Sequence, residues 1–316
     1  MPDVPQMPSH SNEEILLRQS KTILVTGSST GIGRALAEHL ARKGHRVFAS
    51  MRAVNGRNAA HAEALRSLAQ QEGLQLAPIE LDVSDAASIE HALAQITAQT
   101  DRLDVLINNA GIMTMGVSEA TSVEQVRAMF DVNVLGAFRM CQAVLPRMRQ
   151  QQDGLLVWIS SMGATLRYPF MGLYGATKAA FESMAEALHY EVFGHGIDTV
   201  IAQAGLFATS LADHVEHAAQ TKVAAEYGIA GQLAAGLSAN FRSALAAPRA
   251  SSPAILAEAV AAQIQRPKGQ RTLHLPVGAH SEVLHAINPT LEAIQAQAIP
   301  SLGMAALLER KPRTNS

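Results

Sequence analysis

Short apolar runs alternate with longer amphipathic segments along the chain from Lys21 onward. The apolar runs have the length of strands and lie at residues 22–26, 45–50, 74–83, 103–111, 154–160, 197–205 and 271–278. The segments between them have helical length and periodicity, most clearly at 31–44, 57–72, 85–100, 122–150 and 172–194. Because parallel strands need long crossovers, this alternation predicts an α/β fold with a doubly wound, mostly seven-stranded parallel sheet and helices on both faces.

The length of the chain bears on its domain organisation. Its 316 residues fit one domain with extensions better than two domains. Residues 1–20 contain three prolines and no strand pattern, which predicts a flexible N-terminal arm before a single domain at 21–316. The Pro-, Ala- and Ser-rich residues 245–254 indicate a loop between helices.

Composition excludes several classes of function. The chain is 48% hydrophobic, which supplies a large core, and its net charge of −2 with scattered basic residues predicts binding to neither nucleic acid nor an anionic membrane. Cys141 is the single cysteine, so neither an internal disulfide nor a metal site is expected. The chain begins without a signal-peptide pattern, and no apolar run reaches 18 residues. We therefore expect a cytoplasmic protein.

A glycine-rich stretch, TGSSTGIG at 26–33, joins the first predicted strand to the first predicted helix. Glycines at 27, 31 and 33 allow a tight turn and a close approach to a pyrophosphate, and the free N–H groups of a helix start attract that anion. A plain structural turn would also tolerate these glycines. The strand–turn–helix context favours a dinucleotide-binding loop.

The stretch YGATK places Tyr174 and Lys178 four residues apart. On a helix this spacing puts both side chains on one face, about 6 Å apart along the axis. A neighbouring ammonium lowers the pKa of a phenol by roughly 1–3 units from its usual value near 10. The pattern therefore predicts a tyrosine tuned as a general acid and base, whereas an ordinary half-buried helix residue is the alternative.

These motifs, in this order, resemble the short-chain dehydrogenase/reductase family. The glycine spacing G-x-x-x-G-x-G fits that family, as do LDV at 81–83, NNAG at 108–111, DVNVLGAF at 131–138, ISS at 159–161 and YGATK at 174–178. Ser161 lies 13 residues before Tyr174, as expected for the family's serine. The resemblance covers about residues 20–210. It implies a Rossmann fold and an enzyme that transfers a hydride between a nicotinamide dinucleotide and a CH–OH group.

The resemblance also implies site residues. The catalytic set is Asn133, Ser161, Tyr174 and Lys178: Ser161 holds the substrate oxygen, Lys178 binds the nicotinamide ribose, and Asn133 anchors a water linked to Lys178. The implied cofactor contacts are Gly27, Ser29, Thr30, Gly31, Ile32, Gly33, Arg52, Asp82, Val83, Asn109, Ala110, Gly111, Tyr174, Lys178, Gly205, Phe207 and Thr209. In the run QAGLFATS at 203–210, Ala204 stands where the family usually has a proline, which removes a fixed φ.

The residues after the second strand bear on the choice of cofactor. VFASMRAVNGR at 47–57 has no acidic residue to bond a ribose 2′-OH, and Arg52 stands there to pair with a 2′-phosphate. NADP(H) is therefore favoured. NAD(H) stays open, because Thr30 occupies the place where some NADP-specific relatives have a basic residue before the second glycine.

In the resembling family, the long segment corresponding to 206–250 covers the substrate as a lid, and a C-terminal extension follows. The candidate substrate residues are Ser161, Met162, Leu166, Phe170, Met171, Tyr174, Phe207 and Leu211. Their apolar character predicts a hydrophobic alcohol or ketone as substrate. The chain looks similar to the 17β-hydroxysteroid and retinol dehydrogenase branch.

Relatives dimerise through the helices that correspond to 122–150 and 172–194, so we expect a homodimer or a homotetramer. Two other functions stay open at this point. One is an NAD-dependent enzyme that oxidises an alcohol in a catabolic pathway. The other is a dinucleotide sensor without catalysis, although a sensor would not need the proton donor at Tyr174.

Overall fold

The computed structural model describes residues 20–309. Apart from Ser20, the predicted N-terminal arm lies outside the described residues. The described strands are β1 Thr22–Val25, β2 Arg46–Met51, β3 Leu76–Glu80, β4 Val105–Asn108, β5 Thr114–Met115, β6 Gly154–Ser161, β7 Ile197–Ala204, β8 Glu216–His217 and β9 His274–Val277. The described α-helices are α1 Gly31–Arg42, α2 Ala59–Glu72, α3 Ala86–Thr97, α4 Val123–Phe130, α5 Ala137–Gln151, α6 Gly172–Phe193, α7 Thr221–Glu226, α8 Ile229–Ala246, α9 Pro253–Gln265 and α10 Leu284–Ser301.

Seven strands form one parallel sheet in the order β3-β2-β1-β4-β6-β7-β9. The chain starts at β1, builds outward to β3, and then crosses back to β4. The predicted doubly wound, seven-stranded sheet is therefore confirmed. The crossover leaves a crevice at the carboxyl ends of β1 and β4, which is the usual ligand site of such sheets.

Alternating strand residues create two cores. In β1, Ile23 and Val25 point to the face covered by α1, α2 and α9, whereas Leu24 points to the face covered by α3, α5 and α6. The largest fully buried side chain, Trp158 of β6, packs edge-on against Phe181 of α6 at 4.8 Å between ring centroids. These contacts fix α6 against the sheet and thereby set the position of the Tyr-x-x-x-Lys stretch.

The helix predicted at 122–150 is interrupted. It consists of α4, a π-helical turn at Asp131–Gly136, and α5. A capping box of Ser122 and Gln125 fixes its start. By length and composition alone the stretch Val123–Gln151 resembles a membrane span, with a mean hydropathy of 1.2. Buried residues such as Met140 and Val144 pack it onto the sheet, as in a core helix.

Several predicted strands are shorter in the structure. The run 103–111 ends as a strand at Asn108, and the run 271–278 pairs only at His274–Val277. The chain turns after Asn108 because the Thr26 hydroxyl accepts hydrogen bonds from the N–H groups of Asn109 and Ala110, at 2.9 and 3.0 Å. Side-chain contacts of this kind have no periodic signal in a sequence.

Residues 206–250 form a structured segment, which contains a 3₁₀ turn at Ser210–His214, β8, α7 and α8. β8 pairs with β5 in a separate two-stranded sheet that the sequence did not predict. The Gln125 side chain also holds this segment, because its amide donates to the carbonyl oxygen of His217 at 2.8 Å and accepts from the N–H of Ala219 at 3.1 Å. This segment covers the carboxyl end of the sheet.

Candidate active site

A cavity of about 1060 Å³ lies at the carboxyl ends of the parallel strands and under residues 206–250. Loops after β1, β2, β4, β6 and β7 line it. Every residue that the resemblance implied as a cofactor contact lies in its wall. The structure therefore brings together all seventeen of these positions, from Gly27 to Thr209.

The glycine-rich turn forms a cradle without room for side chains. Gly27 has φ +68°, and a Cβ there would lie 2.8 Å from the Cα of Ala110. A Cβ on Gly33 would collide with the carbonyl oxygen of Gly27 and the side chain of Asn109. Thr30 precedes α1 without making a side-chain cap, and the first helical residues, 31–33, line the cavity, where helix N–H groups have no intrahelical partner. The geometry fits the pyrophosphate of a dinucleotide.

The end of the cavity near β2 and β3 is basic. Arg52 and Arg57 line it, together with Asn58 and His61, which the sequence reasoning did not select. The carboxylate of Glu80 faces the same turn but accepts hydrogen bonds from the N–H groups of Ala53 and Val54, at 2.6 and 2.7 Å. Its charge is therefore used to fix the turn after β2.

Arg52 has only one distant partner among the described side chains. Its Nη1 lies 3.9 Å from Oδ2 of Asp82, and the two side chains are 43% and 31% exposed. Oδ1 of Asp82 accepts hydrogen bonds from the N–H and hydroxyl groups of Ser84, at 2.9 and 2.6 Å. The Arg52 guanidinium is therefore accessible to an anionic group.

Tyr174 lies at the centre of the cavity wall and is only 9% exposed. Burial raises the pKa of its phenol to about 12, although the Ser161 hydroxyl acts in the opposite direction. The predicted lowering of this pKa below its usual value is therefore wrong for the protein alone. The phenol is desolvated in a cluster with Met113, Met115 and Met129, and no sequence pattern reports this burial.

Lys178 also faces the cavity, but it is anchored to the sheet. Its Nζ donates to the carbonyl oxygen of Ile159 at 2.9 Å and lies 4.7 Å from the ring centroid of Phe181. Burial lowers the pKa of Lys178 to about 8, while the nearby Glu182 carboxyl raises it. Lysine and tyrosine thus occupy one face of α6, as predicted, with both groups largely out of water.

Asn133 lies in the π-helical turn, is 1% exposed and is not in the cavity wall. Its side-chain oxygen accepts from the N–H of Ile112 at 2.8 Å. Its amide nitrogen donates to the carbonyl oxygen of Ile112 and to the hydroxyl of Thr177, at 2.9 and 3.0 Å. The side chain therefore joins the loop after β4 to α6, beside Lys178, instead of facing the substrate.

The far end of the cavity is mainly apolar. Of the predicted substrate residues, Ser161, Met162, Leu166, Met171, Tyr174, Phe207 and Leu211 line the cavity. Phe170 does not, because it packs with Val117, Ala120 and Ala234 in a separate cluster. Its prediction as a wall residue is corrected. The sequence reasoning missed Met113, Tyr168, His214, Glu216, Phe241 and Leu245, which reach the cavity from loops, the 3₁₀ turn, β8 and α8.

A parallel α/β sheet with a glycine cradle at its switch point and a buried Tyr–Lys pair beside it defines a dinucleotide-binding oxidoreductase. The sequence model of the short chain dehydrogenase family matches residues 21–220, and the chain belongs to this family. It is therefore an NAD(P)-dependent oxidoreductase acting on CH–OH groups.

Curated relatives agree with this assignment. A 3-ketodihydrosphingosine reductase from Bacteroides thetaiotaomicron is 35% identical over 196 residues, which are 62% of this chain and 67% of that protein. The 17-beta-hydroxysteroid dehydrogenase type 1 of Homo sapiens is 34% identical over 196 residues, or 61% of this chain and 58% of the human protein. Among solved structures, the closed form of a serine dehydrogenase complexed with NADP+ has a TM-score of 0.67 and 26% identity, covering 83% of this chain and 96% of that one.

Proposed function

We propose that this protein is an NADP(H)-dependent oxidoreductase that interconverts a hydrophobic secondary alcohol and its ketone, with Tyr174 as the general acid and base. The observation that carries the proposal is the position of the Tyr174 phenol. It lies in one continuous cavity, between the glycine cradle at one end and an apolar pocket at the other. A substrate oxygen in that pocket comes within reach of a proton donor and of the site for a nicotinamide.

The protonation states support the chemistry of reduction. The phenol of Tyr174 is protonated at neutral pH, since burial raises its pKa to about 12. It gives this proton to the ketone oxygen, while Ser161 holds that oxygen through a hydrogen bond. A reduced nicotinamide dinucleotide held by the glycine cradle would supply the hydride to the carbonyl carbon. Lys178 would contribute positive charge near the phenol and would hold the ribose hydroxyl groups.

The basic end of the cavity supports the choice of NADP(H). A 2′-phosphate needs a guanidinium with which to pair, and Arg52 and Arg57 both line this end. Glu80, the acidic side chain at the turn after β2, is occupied by main-chain N–H groups and does not offer its carboxylate to a ribose. Charge complementarity therefore favours the phosphorylated cofactor.

The apolar end of the cavity supports a hydrophobic substrate. Met113, Met162, Met171 and Phe241 line it, and methionine side chains adapt their shape to bulky apolar ligands. The relatives named for 3-ketodihydrosphingosine and for a 17-beta-hydroxysteroid point in the same direction.

A substrate panel tests the proposal. Initial rates are measured by absorbance at the reduced-nicotinamide band, with NADPH and with NADH, on long-chain, cyclic, aromatic and small polar ketones. We expect kcat/KM with NADPH to be at least about tenfold higher for one apolar ketone class than for the polar ketones, since apolar burial favours it by more than 1 kcal/mol. Equal rates on polar ketones would contradict the substrate class, and equal rates with NADH would contradict the cofactor.

The proposed assembly is a homodimer. Leu135 in the π-helical turn and Phe138 at the start of α5 are 46% and 43% exposed, on one of the two helical segments predicted to form the dimer face. Light scattering after gel filtration measures the mass directly. A dimer is expected, and Phe138→Asp should shift the mass toward the monomer of 33.5 kDa.

A further inference from the structure

The catalytic face of α6 continues beyond Lys178 as a column of ionisable side chains. Tyr174, Lys178, Glu182 and Glu186 follow at four-residue spacing, which places them on one side of the helix. The first three are 9%, 6% and 7% exposed. A carboxyl group this deeply buried, one turn from a buried lysine, needs an account that hydrophobic packing does not provide.

Glu182 is the end of a buried chain of hydrogen bonds. Its Oε2 accepts from Nε2 of Gln203 in β7 at 3.1 Å, and Oε1 of Gln203 accepts from Nδ2 of Asn288 in α10 at 2.7 Å. Gln203 and Asn288 are 1% and 6% exposed. These hydrogen bonds connect α10 to the catalytic helix α6. α10 lies after residue 220, where the match to the family model ends.

The second carboxyl oxygen of Glu182 is buried without a well-formed hydrogen bond to the described residues. Its Oε1 and the hydroxyl of Ser160 are both buried, and neither forms a hydrogen bond of normal geometry with any described residue. Burial raises the pKa of Glu182, whereas interactions with the hydroxyl of Ser160 and with Gln203 act in the opposite direction. An underused buried carboxyl oxygen is costly, and a nearby cation offsets that cost.

The other ionisable groups nearby are paired elsewhere. Nε2 and Nδ1 of His274 in β9 bond the carboxyl groups of Glu186 and Glu292, at 3.1 and 2.6 Å. Burial lowers the pKa of His274, but these hydrogen bonds outweigh burial and raise it overall. The charge interaction with His274 lowers the pKa of Glu182, whereas the interaction with Glu186 raises it. Within the described residues, Glu182 is thus the acidic group that acts on Lys178.

We propose that Glu182 is a positioning residue: held from β7 and α10 by Gln203 and Asn288, its buried carboxyl group lies one helical turn from Lys178 and supplies the acidic partner of the lysine inside the fold. This inference rests on the proposed function, in which the charge of Lys178 is required. It assigns a role in the reaction to the C-terminal helix α10, which lies outside the family match.

The experiment compares Glu182→Gln with Glu191→Gln, which replaces an exposed carboxyl group further along the same helix. NADPH binding is followed without turnover, by fluorescence titration from pH 6 to 10, and the pH profile of kcat/KM is recorded on the best ketone. Without the carboxylate, Lys178 loses its proton at lower pH. The basic limb of both profiles should therefore move down by roughly 1 pH unit in Glu182→Gln and stay unchanged in the control.

Two further variants separate this role from a purely structural one. Asn288→Ala, far from the cavity, should move the basic limb in the same direction by less, and the double variant should fall short of the sum, because both act through one network. Glu182→Asp keeps a carboxyl group, so its basic limb should lie between those of wild type and Glu182→Gln. Thermal unfolding confirms that each variant is folded.

Superimposable pH profiles for wild type and Glu182→Gln would overturn the inference, while an active wild type would leave the proposed function intact. Conversely, an inactive wild type across the ketone panel would contradict the proposed function. The binding titration would still report on Glu182, because it does not depend on turnover.

Discussion

Lys178 and Ile159 are joined by a hydrogen bond in which Nζ of the lysine donates to the main-chain carbonyl oxygen at 2.9 Å. The bond ties α6 to the end of β6, two residues before Ser161. With the ammonium held at the sheet, burial dominates the phenol of Tyr174 and raises its pKa to about 12. The protein alone therefore presents a protonated phenol, the state that the reduction of a ketone requires.

Replacing Tyr174 with Phe removes the proposed proton donor and leaves the shape of the cavity nearly unchanged. We expect kcat to fall by roughly 10²–10⁴, the usual contribution of general acid catalysis. The Kd of NADPH should change little, because the phenol is not needed to hold the pyrophosphate. Steady-state rates and fluorescence titration measure the two effects. Near-normal turnover would reject Tyr174 as the acid.

Arg52→Ala tests the cofactor preference. Loss of one guanidinium from the basic end of the cavity should raise KM for NADPH by roughly tenfold, about 1.4 kcal/mol, and leave KM for NADH nearly unchanged. Arg66→Ala is the matched control, since Arg66 pairs with Glu63 on the exposed side of α2, outside the cavity. An unchanged KM for NADPH in Arg52→Ala would refute the phosphate argument.

Gly27→Ala tests the cradle. The residue has φ +68°, which costs a side chain about 1–2 kcal/mol, and its Cβ would lie 2.8 Å from the Cα of Ala110. We expect a lower free energy of unfolding in urea and at least a tenfold weaker affinity for NADPH. Gly44 is the control because it has φ +86° with nothing within 4 Å. Gly44→Ala should lower the free energy of unfolding through backbone strain only and should bind NADPH with normal affinity. Equal affinity for NADPH in the two variants would exclude a cradle at Gly27.

Cys141 should be inert in the folded protein. It is 1% exposed in α5, and burial raises the pKa of its thiol to about 12, against a weaker opposite effect of the Asn108 amide. The thiol therefore stays protonated at pH 8, and only the thiolate reacts. A chromogenic disulfide reagent should find no reactive thiol in native protein and one in guanidinium, since Cys141 is the single cysteine. Fast reaction in the native state would mean that α5 opens.

The cofactor end of the site was predictable in detail. The glycines at 27, 31 and 33, the turn at 108–111 and the Tyr-x-x-x-Lys stretch are short motifs whose residues touch through local geometry or through strand ends that the sheet brings together. Once the order of strands is known, their carboxyl ends share one edge. The seven-stranded sheet was also predictable, because seven apolar runs alternate with segments of helical length.

The substrate end was less predictable. Phe170 and Met171 are adjacent in sequence, yet only Met171 lines the cavity, whereas Phe241 and Leu245 reach it from a helix some 70 residues away. His61 likewise lines the cavity from α2, although nothing in the helical pattern singles it out. Apolar periodicity indicates which face of a helix is buried, but it does not indicate whether that face meets the core or a cavity.

By itself, the sequence determined the parallel sheet, the glycine cradle and the placement of Tyr174 and Lys178 on one helix face, because strand and helix periodicity and turn chemistry are local properties. Only the tertiary structure decided the protonation of Tyr174, the saturation of Asn133 by Ile112 and Thr177, and the buried chain from Asn288 to Glu182. Those features depend on desolvation and on contacts between distant segments, which arise when the chain packs.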